Sequence, residues 1–157
     1  QMREPMKKTG FLGVLLFLLF FLLFGGSVNA GIFMQPQAGL SINNSGDTFT
    51  TVGATVGYKL ADLISIESTY LHIDRTDDKN LVDLGVSLDI PFIPIIDPYI
   101  EVGTSVYPNV GDVKAGAGVT FSPPVLDVVY IGVGFDYYLI KDGDDFSFVF
   151  AMAGVSF

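Results

Sequence analysis

The sequence predicts an all-β protein, an eight-stranded antiparallel up-and-down transmembrane barrel preceded by a helical signal peptide. Three observations predict it. Of the 157 residues 50% are hydrophobic and only 16% charged, too apolar for a disordered chain and light in charge for an ordinary water-soluble domain. The N-terminus carries the basic, apolar and small-residue succession of an export signal. After it, no apolar stretch is long enough to span as a helix, and the apolar residues recur with period two in eight successive segments.

The leader comes first. Lys7-Lys8 precede the 14-residue apolar run Phe11 to Phe24, and Gly25-Gly26-Ser27-Val28-Asn29-Ala30 follow. The run is short of the ~20 residues of a spanning helix, and Val28 and Ala30 supply the small residues that signal peptidase requires. Residues 1–30 are therefore expected to be removed, with Met6 as the economical start and residues 31–157 as the mature barrel. An uncleaved anchor is the rival reading, and the Gly-Gly pair and cleavage site argue against it. The mature chain has five basic and sixteen acidic residues, a net charge of −11. That balance excludes a sequence-independent nucleic-acid binder, whose affinity comes from cationic contacts to phosphate. With no cysteine, a disulfide scaffold, a thiolate metal site, a catalytic Cys and a lipidated N-terminus are excluded too.

The strands follow in order. In the first, Ile32, Met34, Pro36, Ala38, Leu40 and Ile42 alternate with Phe33, Gln35, Gln37, Gly39 and Ser41. In the second, Val52, Ala54, Val56 and Tyr58 oppose Thr51, Gly53, Thr55 and Gly57; in the third, Ile64, Ile66 and Tyr70 oppose Ser65, Glu67 and Thr69. Val82 to Ile90 alternate with Asp83, Gly85, Ser87 and Asp89, and Ile100 to Val106 with Tyr99, Glu101, Gly103 and Ser105. Val113 to Phe121 alternate with Lys114, Gly116, Gly118 and Thr120, and Val129 to Tyr137 with Tyr130, Gly132, Gly134 and Asp136. The last strand sets Val149, Ala151, Ala153, Val155 and Phe157 against Phe148, Phe150, Met152, Gly154 and Ser156. Turn-formers separate them at 43–47, 59–62, 74–80, 91–98, 108–111, 123–124 and 141–145. All are short enough for hairpins, and closure leaves no unpaired edge for lipid to strand.

A soluble barrel has the same period, so chemistry must distinguish the faces. A water-facing exterior carries charge at a quarter to a third of its positions, whereas the polar face here holds a single Lys, Lys114. Its Gly, Ser, Thr and Tyr suit a crowded interior, and the Val- and Ile-rich face then meets lipid. With the N-terminus in the periplasm, outward Tyr58, Phe121 and Phe157 fall at the periplasmic rim and outward Tyr70 and Tyr137 at the external rim, forming two interface belts.

With these residues in place the chain resembles the small OmpA/OmpX/OmpW-like bacterial outer-membrane β-barrels of the porin-like superfamily. The resemblance is carried by the signal peptide, the eight alternating strands, segments such as Pro98-Tyr99-Ile100-Glu101-Val102-Gly103 and Lys114-Ala115-Gly116-Ala117-Gly118-Val119, and the terminal Phe157. It implies an outer-membrane location after export, and contact with outer-membrane lipid and lipopolysaccharide. It also implies delivery by periplasmic chaperones and recognition of the last strand, Val155 and Phe157 above all, by the barrel-assembly machinery. A monomer is expected. The sequence ends at this strand, so wall anchoring through a periplasmic domain is not expected, and the short external connections speak against an adhesin or phage receptor.

Candidate chemistry is sparse, and no cofactor is expected. Some outer-membrane barrels are lipid hydrolases with His and Ser two residues apart, but the chain reads His72-Ile73-Asp74. Ser68 lies four residues from His72, about 13 Å along a strand and beyond a nucleophile–base hydrogen bond. The acidic loops Asp74-Arg75-Thr76-Asp77-Asp78 and Lys141-Asp142-Gly143-Asp144-Asp145 lack the closing Glu of a calcium loop and read as solvated turns. The fourteen mature glycines thin the interior rather than cradle phosphate.

Two functional readings stand. One is a filled, structural barrel serving envelope integrity; the other is a narrow, weakly cation-selective or hydrophobic-molecule channel. Interior Tyr99, Tyr107, Tyr130, Tyr138, Phe148 and Phe150 favour filling, because an eight-stranded barrel is only just wide enough for side chains. The interior charges Glu67, Asp83, Asp89, Glu101, Lys114 and Asp136 form a candidate cluster. Hairpin counting pairs Lys114 with Asp136 in a salt bridge, and puts Asp89 beside Glu101 near the periplasmic end with no cation to balance them.

Overall fold

The computed structural model describes residues 31–61, 63–76, 79–90, 95–123 and 128–157. The expected signal peptide, residues 1–30, lies outside them. Eight strands form: β1 (Ile32–Asn43), β2 (Thr48–Ala61), β3 (Ile64–Ile73), β4 (Lys79–Asp89), β5 (Ile96–Tyr107), β6 (Val113–Phe121), β7 (Val129–Leu139) and β8 (Phe146–Ser156). Each pairs antiparallel with the next, and β8 pairs with β1, so the sheet closes into a barrel. The chain ends and the connections after β2, β4 and β6 mark its terminus end; the other four connections mark its loop end.

Local chemistry explains the hairpins and the irregularities. Between β1 and β2, Gly46 has φ +85°, a conformation that costs glycine nothing, and its N–H donates to the Asn43 carbonyl at 2.9 Å. Asn43 Oδ1 accepts from the Asp47 N–H at 2.8 Å. Pro36 has no N–H to give, and the β1–β8 ladder is interrupted there, resuming from Met34↔Val155 to Gln37↔Met152. Strands also extend into expected turns. Lys79 opens β4, Lys59 lies inside β2, and Pro98 lies inside β5, where its carbonyl accepts from the Ile90 N–H at 2.7 Å.

The period-two split holds around the barrel. Outward Val102 and Val133 are 61% and 60% exposed, while inward Leu71, Leu81 and Phe148 are at 0%. One expectation fails. Tyr107 points outward, because the β4–β5 register slips from Val82↔Tyr107 to Asp83↔Ser105, and the extra residue, Val106, reverses the parity. Tyr70, Val82 and Tyr107 thereby stand side by side at the loop end.

The lumen is filled in layers. At the loop end Leu71, Ile73, Leu81, Tyr138, Ile140, Phe146 and Phe148 make a buried apolar plug, with the Tyr138 and Phe146 rings stacked at 4.5 Å. Buried hydroxyl pairs share the lumen with it: Ser41–Thr51 at 2.7 Å stands beside plug residues, Ser41 opposite Phe148 and Thr51 opposite Ile73, and Thr55–Thr69 at 2.8 Å lies below. Further down, Gly118 and Gly134 flank Tyr99. A Cβ on either would come within 2.5 Å of the Tyr99 hydroxyl, so the ring can cross the lumen only because both are glycine.

Candidate functional site

Lys114 on β6 points inward opposite Gly103 of β5 and Tyr138 of β7. Two small or planar neighbours leave its long side chain free to cross the lumen, and its Nζ lies 3.1 Å from Glu101 Oε2, 3.4 Å from Asp83 Oδ1 and 3.7 Å from Glu67 Oε1. Tyr138 donates its hydroxyl to the other Asp83 oxygen at 2.9 Å. Asp136 faces the same space through the gap that Gly116 leaves; a side chain at 116 would collide with both its Oδ1 and the Glu101 Oε1. All five charged groups are buried, none exposing more than 7% of its surface. Burying charge without a partner costs several kcal/mol, so these residues must be read as one network.

Two expected pairings are corrected by this geometry. Lys114 does not bridge to Asp136: register sets Asp136 against Gly116, one inward layer below, and the ammonium leans instead towards β3, β4 and β5. Asp136 Oδ1 is left with no hydrogen-bond partner. Asp89 does not belong to the cluster. It sits opposite Tyr99 while Glu101 sits opposite Ser87, and it bonds Lys59 Nζ at 3.3 Å. Lys59, expected in the turn at 59–62, lies instead within β2 and lines the lumen, where it supplies the cation.

Beneath the cluster lies a cavity of about 190 Å³. Its walls include Glu67, Glu101, Lys114 and Asp136 at the inner end and Lys59, Asp89, Asp97, Ser122 and Ser156 towards the terminus end, where it opens. Tyr99 and Phe150 line it, while Leu71, Ile73, Leu81, Tyr138, Ile140, Phe146 and Phe148 at the loop end do not. Tyr138 and Phe148 fill the interior as expected, and Leu71, Ile73 and Leu81 join them without having been named from the sequence. Their signal was present, since Leu71 and Ile73 share the parity of Glu67 and Thr69, and Leu81 that of Asp83.

Of the outward aromatics, Tyr58, Phe121 and Phe157 lie at the terminus end and Tyr70 and Tyr137 at the loop end. Tyr70 Oη and His72 Nδ1 both bond Asn80 Oδ1 at 2.9 Å. Ser68 donates to the Asp83 carbonyl at 3.1 Å, so Ser68 and His72 are engaged separately and not with one another. Asp145 accepts from the Ile140 N–H at 2.8 Å and from Tyr137 Oη at 3.1 Å, which makes it a loop brace. Asp77 and Asp78 lie outside the described residues.

No family model matches the chain. No curated protein matches it either. Solved structures do. The N-terminal β-barrel domain of Pseudomonas aeruginosa OprF superposes with a TM-score of 0.61 at 14% identity, covering 80% of this chain and 97% of that one. Neisserial surface protein A gives 0.57 at 17% identity, covering 84% and 99%. The fold is that of the small eight-stranded outer-membrane β-barrels. Ail, the attachment invasion locus protein of Yersinia pestis, gives 0.54 at 11% identity, covering 82% and 97%. In an outer-membrane-type barrel the apolar alternate residues face out and polar ones fill the lumen, which is the arrangement around the Lys114 cluster.

Proposed function

We propose that this chain is an integral outer-membrane protein whose role is structural, a sealed barrel contributing to envelope integrity. The observation that carries this reading is the apolar plug, in which Leu71, Leu81, Tyr138 and Phe148 are almost completely buried at the loop end. On this reading a signal peptide ending at Ala30 directs export and periplasmic chaperones deliver the chain. The outward face meets lipid and, at the loop end, lipopolysaccharide. The chain acts as a monomer.

Planar-bilayer recording is the test. The expected result is no stepwise conductance at any voltage that the bilayer tolerates. Sustained openings would favour the second reading, a narrow channel, for which the acidic cavity is the supporting observation. In that case the current should be cation-selective, and Asp89→Asn/Glu101→Gln should reduce the selectivity measured as a reversal potential in a salt gradient.

The assembly machinery is proposed to read β8 through Val155 and Phe157. Phe157 is 80% exposed on the outer face, while Ser156 is half-buried. Phe157→Asp is expected to lower the folded fraction in the outer membrane several-fold, and Ser156→Asp to lower it little, as read by heat-modifiable gel mobility. A charge near the rim costs little in lipid, so the loss arises in assembly. Equal yields for the two variants would remove Phe157 from the signal.

A further inference from the structure

Around most of the barrel the outward face is apolar, but at the loop end of β3 and β4 it carries Tyr70, His72 and Asn80. The three form one unit. Tyr70 Oη and His72 Nδ1 each lie 2.9 Å from Asn80 Oδ1. An amide oxygen can only accept, so His72 Nδ1 carries the hydrogen; Nε2 of the neutral ring is left to accept, and Asn80 Nδ2 to donate. The bulge in β5 adds a second ring. Tyr107 stands across Val82 from Tyr70, and the two tyrosines are 53% and 46% exposed. The result is a ledge with Val82 between two aromatic rings and the facing pair His72 and Asn80 one outward position nearer the loop end.

We propose that this ledge binds the uncharged sugar headgroup of a glycolipid, its hydroxyls on Asn80 Nδ2 and His72 Nε2 and its acyl chain on the apolar face below. The inference rests on the reading that the outward face meets lipid. The ledge supplies no carboxylate for an amine and no fixed cation for a phosphate. Exposed Asp47, Asp74, Asp142 and Asp144 on the neighbouring connections repel an anion further, while Arg75 and Lys79 lie over the Phe49 and Phe146 rings, 4.7 and 5.9 Å from their centroids. A neutral sugar fits what remains, because its hydroxyls both give and take hydrogen bonds and its C–H faces pack on aromatic rings. The position selects a lipid-borne sugar over a free one. Outward Val82, Leu84, Val86 and Leu88 continue down β4 from Asn80 without a polar break. At about 3.3 Å per residue and a tilt of about 45° they reach roughly 14 Å below the ledge, one leaflet of a hydrocarbon core about 30 Å thick.

The experiment uses protein expressed from the full-length sequence and folded in dodecylphosphocholine micelles, into which octyl glucoside is titrated under NMR observation. The Asn80 side-chain amide signal is expected to shift to saturation. Nuclear Overhauser contacts should run from the glucosyl ring protons to Tyr70 and Tyr107, and not to Tyr58 or Tyr137. Asn80→Leu suits a lipid-facing position and should leave the barrel folded; it is expected to weaken binding about fivefold, the worth of one net hydrogen bond, read from the Tyr107 ring signals. Octyl phosphate at the same mole fraction and free glucose at the same concentration should give no saturating shift. Equal sugar contacts at Tyr137, saturation by octyl phosphate or by free glucose, no saturation by octyl glucoside, or unchanged affinity in a folded Asn80→Leu protein would each overturn the proposal. Contacts from the micelle chains to outward Val102 and Val133 test the membrane reading separately. Sugar contacts absent where these persist overturn this proposal alone, and the loss of both overturns the two together.

Discussion

Lys114→Met is expected to destabilise the barrel by about 3–5 kcal/mol, the cost of removing one partner from a buried ion network. Methionine nearly matches the volume of the lysine stem, so little of the loss comes from a void. What remains is Glu67, Asp83, Glu101 and Asp136, each at most 7% exposed, facing one another without their ammonium. Lys59→Met provides the control. Its pair with Asp89 has the same chemistry at 3.3 Å, but the two side chains are 38% and 27% exposed, and water and salt already screen them. Its loss should cost no more than about 1 kcal/mol. Urea-unfolding midpoints in micelles measure both. A second substitution, Glu101→Gln, in the Lys114→Met background should recover part of the loss, because it removes one of the charges left unpaired. Equal effects at positions 114 and 59 would mean that the lumen is wet enough for burial not to matter.

Tyr138→Ala is expected to have two effects of different kinds. Tyr138 is 1% exposed, stacks on Phe146 with an interplanar angle of 8°, and donates its hydroxyl to Asp83. Truncating a buried aromatic residue costs about 3–5 kcal/mol, and here Asp83 also loses a donor. The second effect concerns the proposed sealed state. Tyr138 joins the plug to the charged cluster through its bond to Asp83, so the variant should show openings in planar bilayers that the unaltered protein lacks. Tyr107→Ala, at the outward and 53% exposed ring, should change neither stability by more than about 1 kcal/mol nor conductance. A stable, silent Tyr138→Ala barrel would show that the plug does not depend on this ring.

The site was partly legible from the chain alone. Glu67, Asp83, Glu101, Lys114 and Asp136 are inward by parity, and their meeting in one lumen follows from closure. Their pairing does not follow. Counting from a hairpin gives the neighbour of a Cα on one adjacent strand, whereas the Lys114 side chain reaches Asp83 and Glu67 on strands two and three positions away around the barrel. A long side chain in a narrow tube chooses its partners across the lumen, not along a ladder.

What the sequence determined by itself was everything that repeats locally. Period two set the strands and their two faces, as at Val82 to Ile90, and turn residues such as Gly46 set hairpin positions. Tertiary structure decided what depends on how strands align. The bulge that turns Tyr107 outward appears only when adjacent Val82 and Asp83 take Tyr107 and Ser105 as partners and leave Val106 between them. Lys59 becomes a lumen residue only because β2 pairs further than its turn chemistry suggests, and the plug emerges only when Leu71, Leu81, Tyr138 and Phe148, from four strands, converge at the loop end. The reason is physical. A side chain's face is fixed by its own backbone, while its height and its partners in a barrel are fixed by the tilt and register of every other strand.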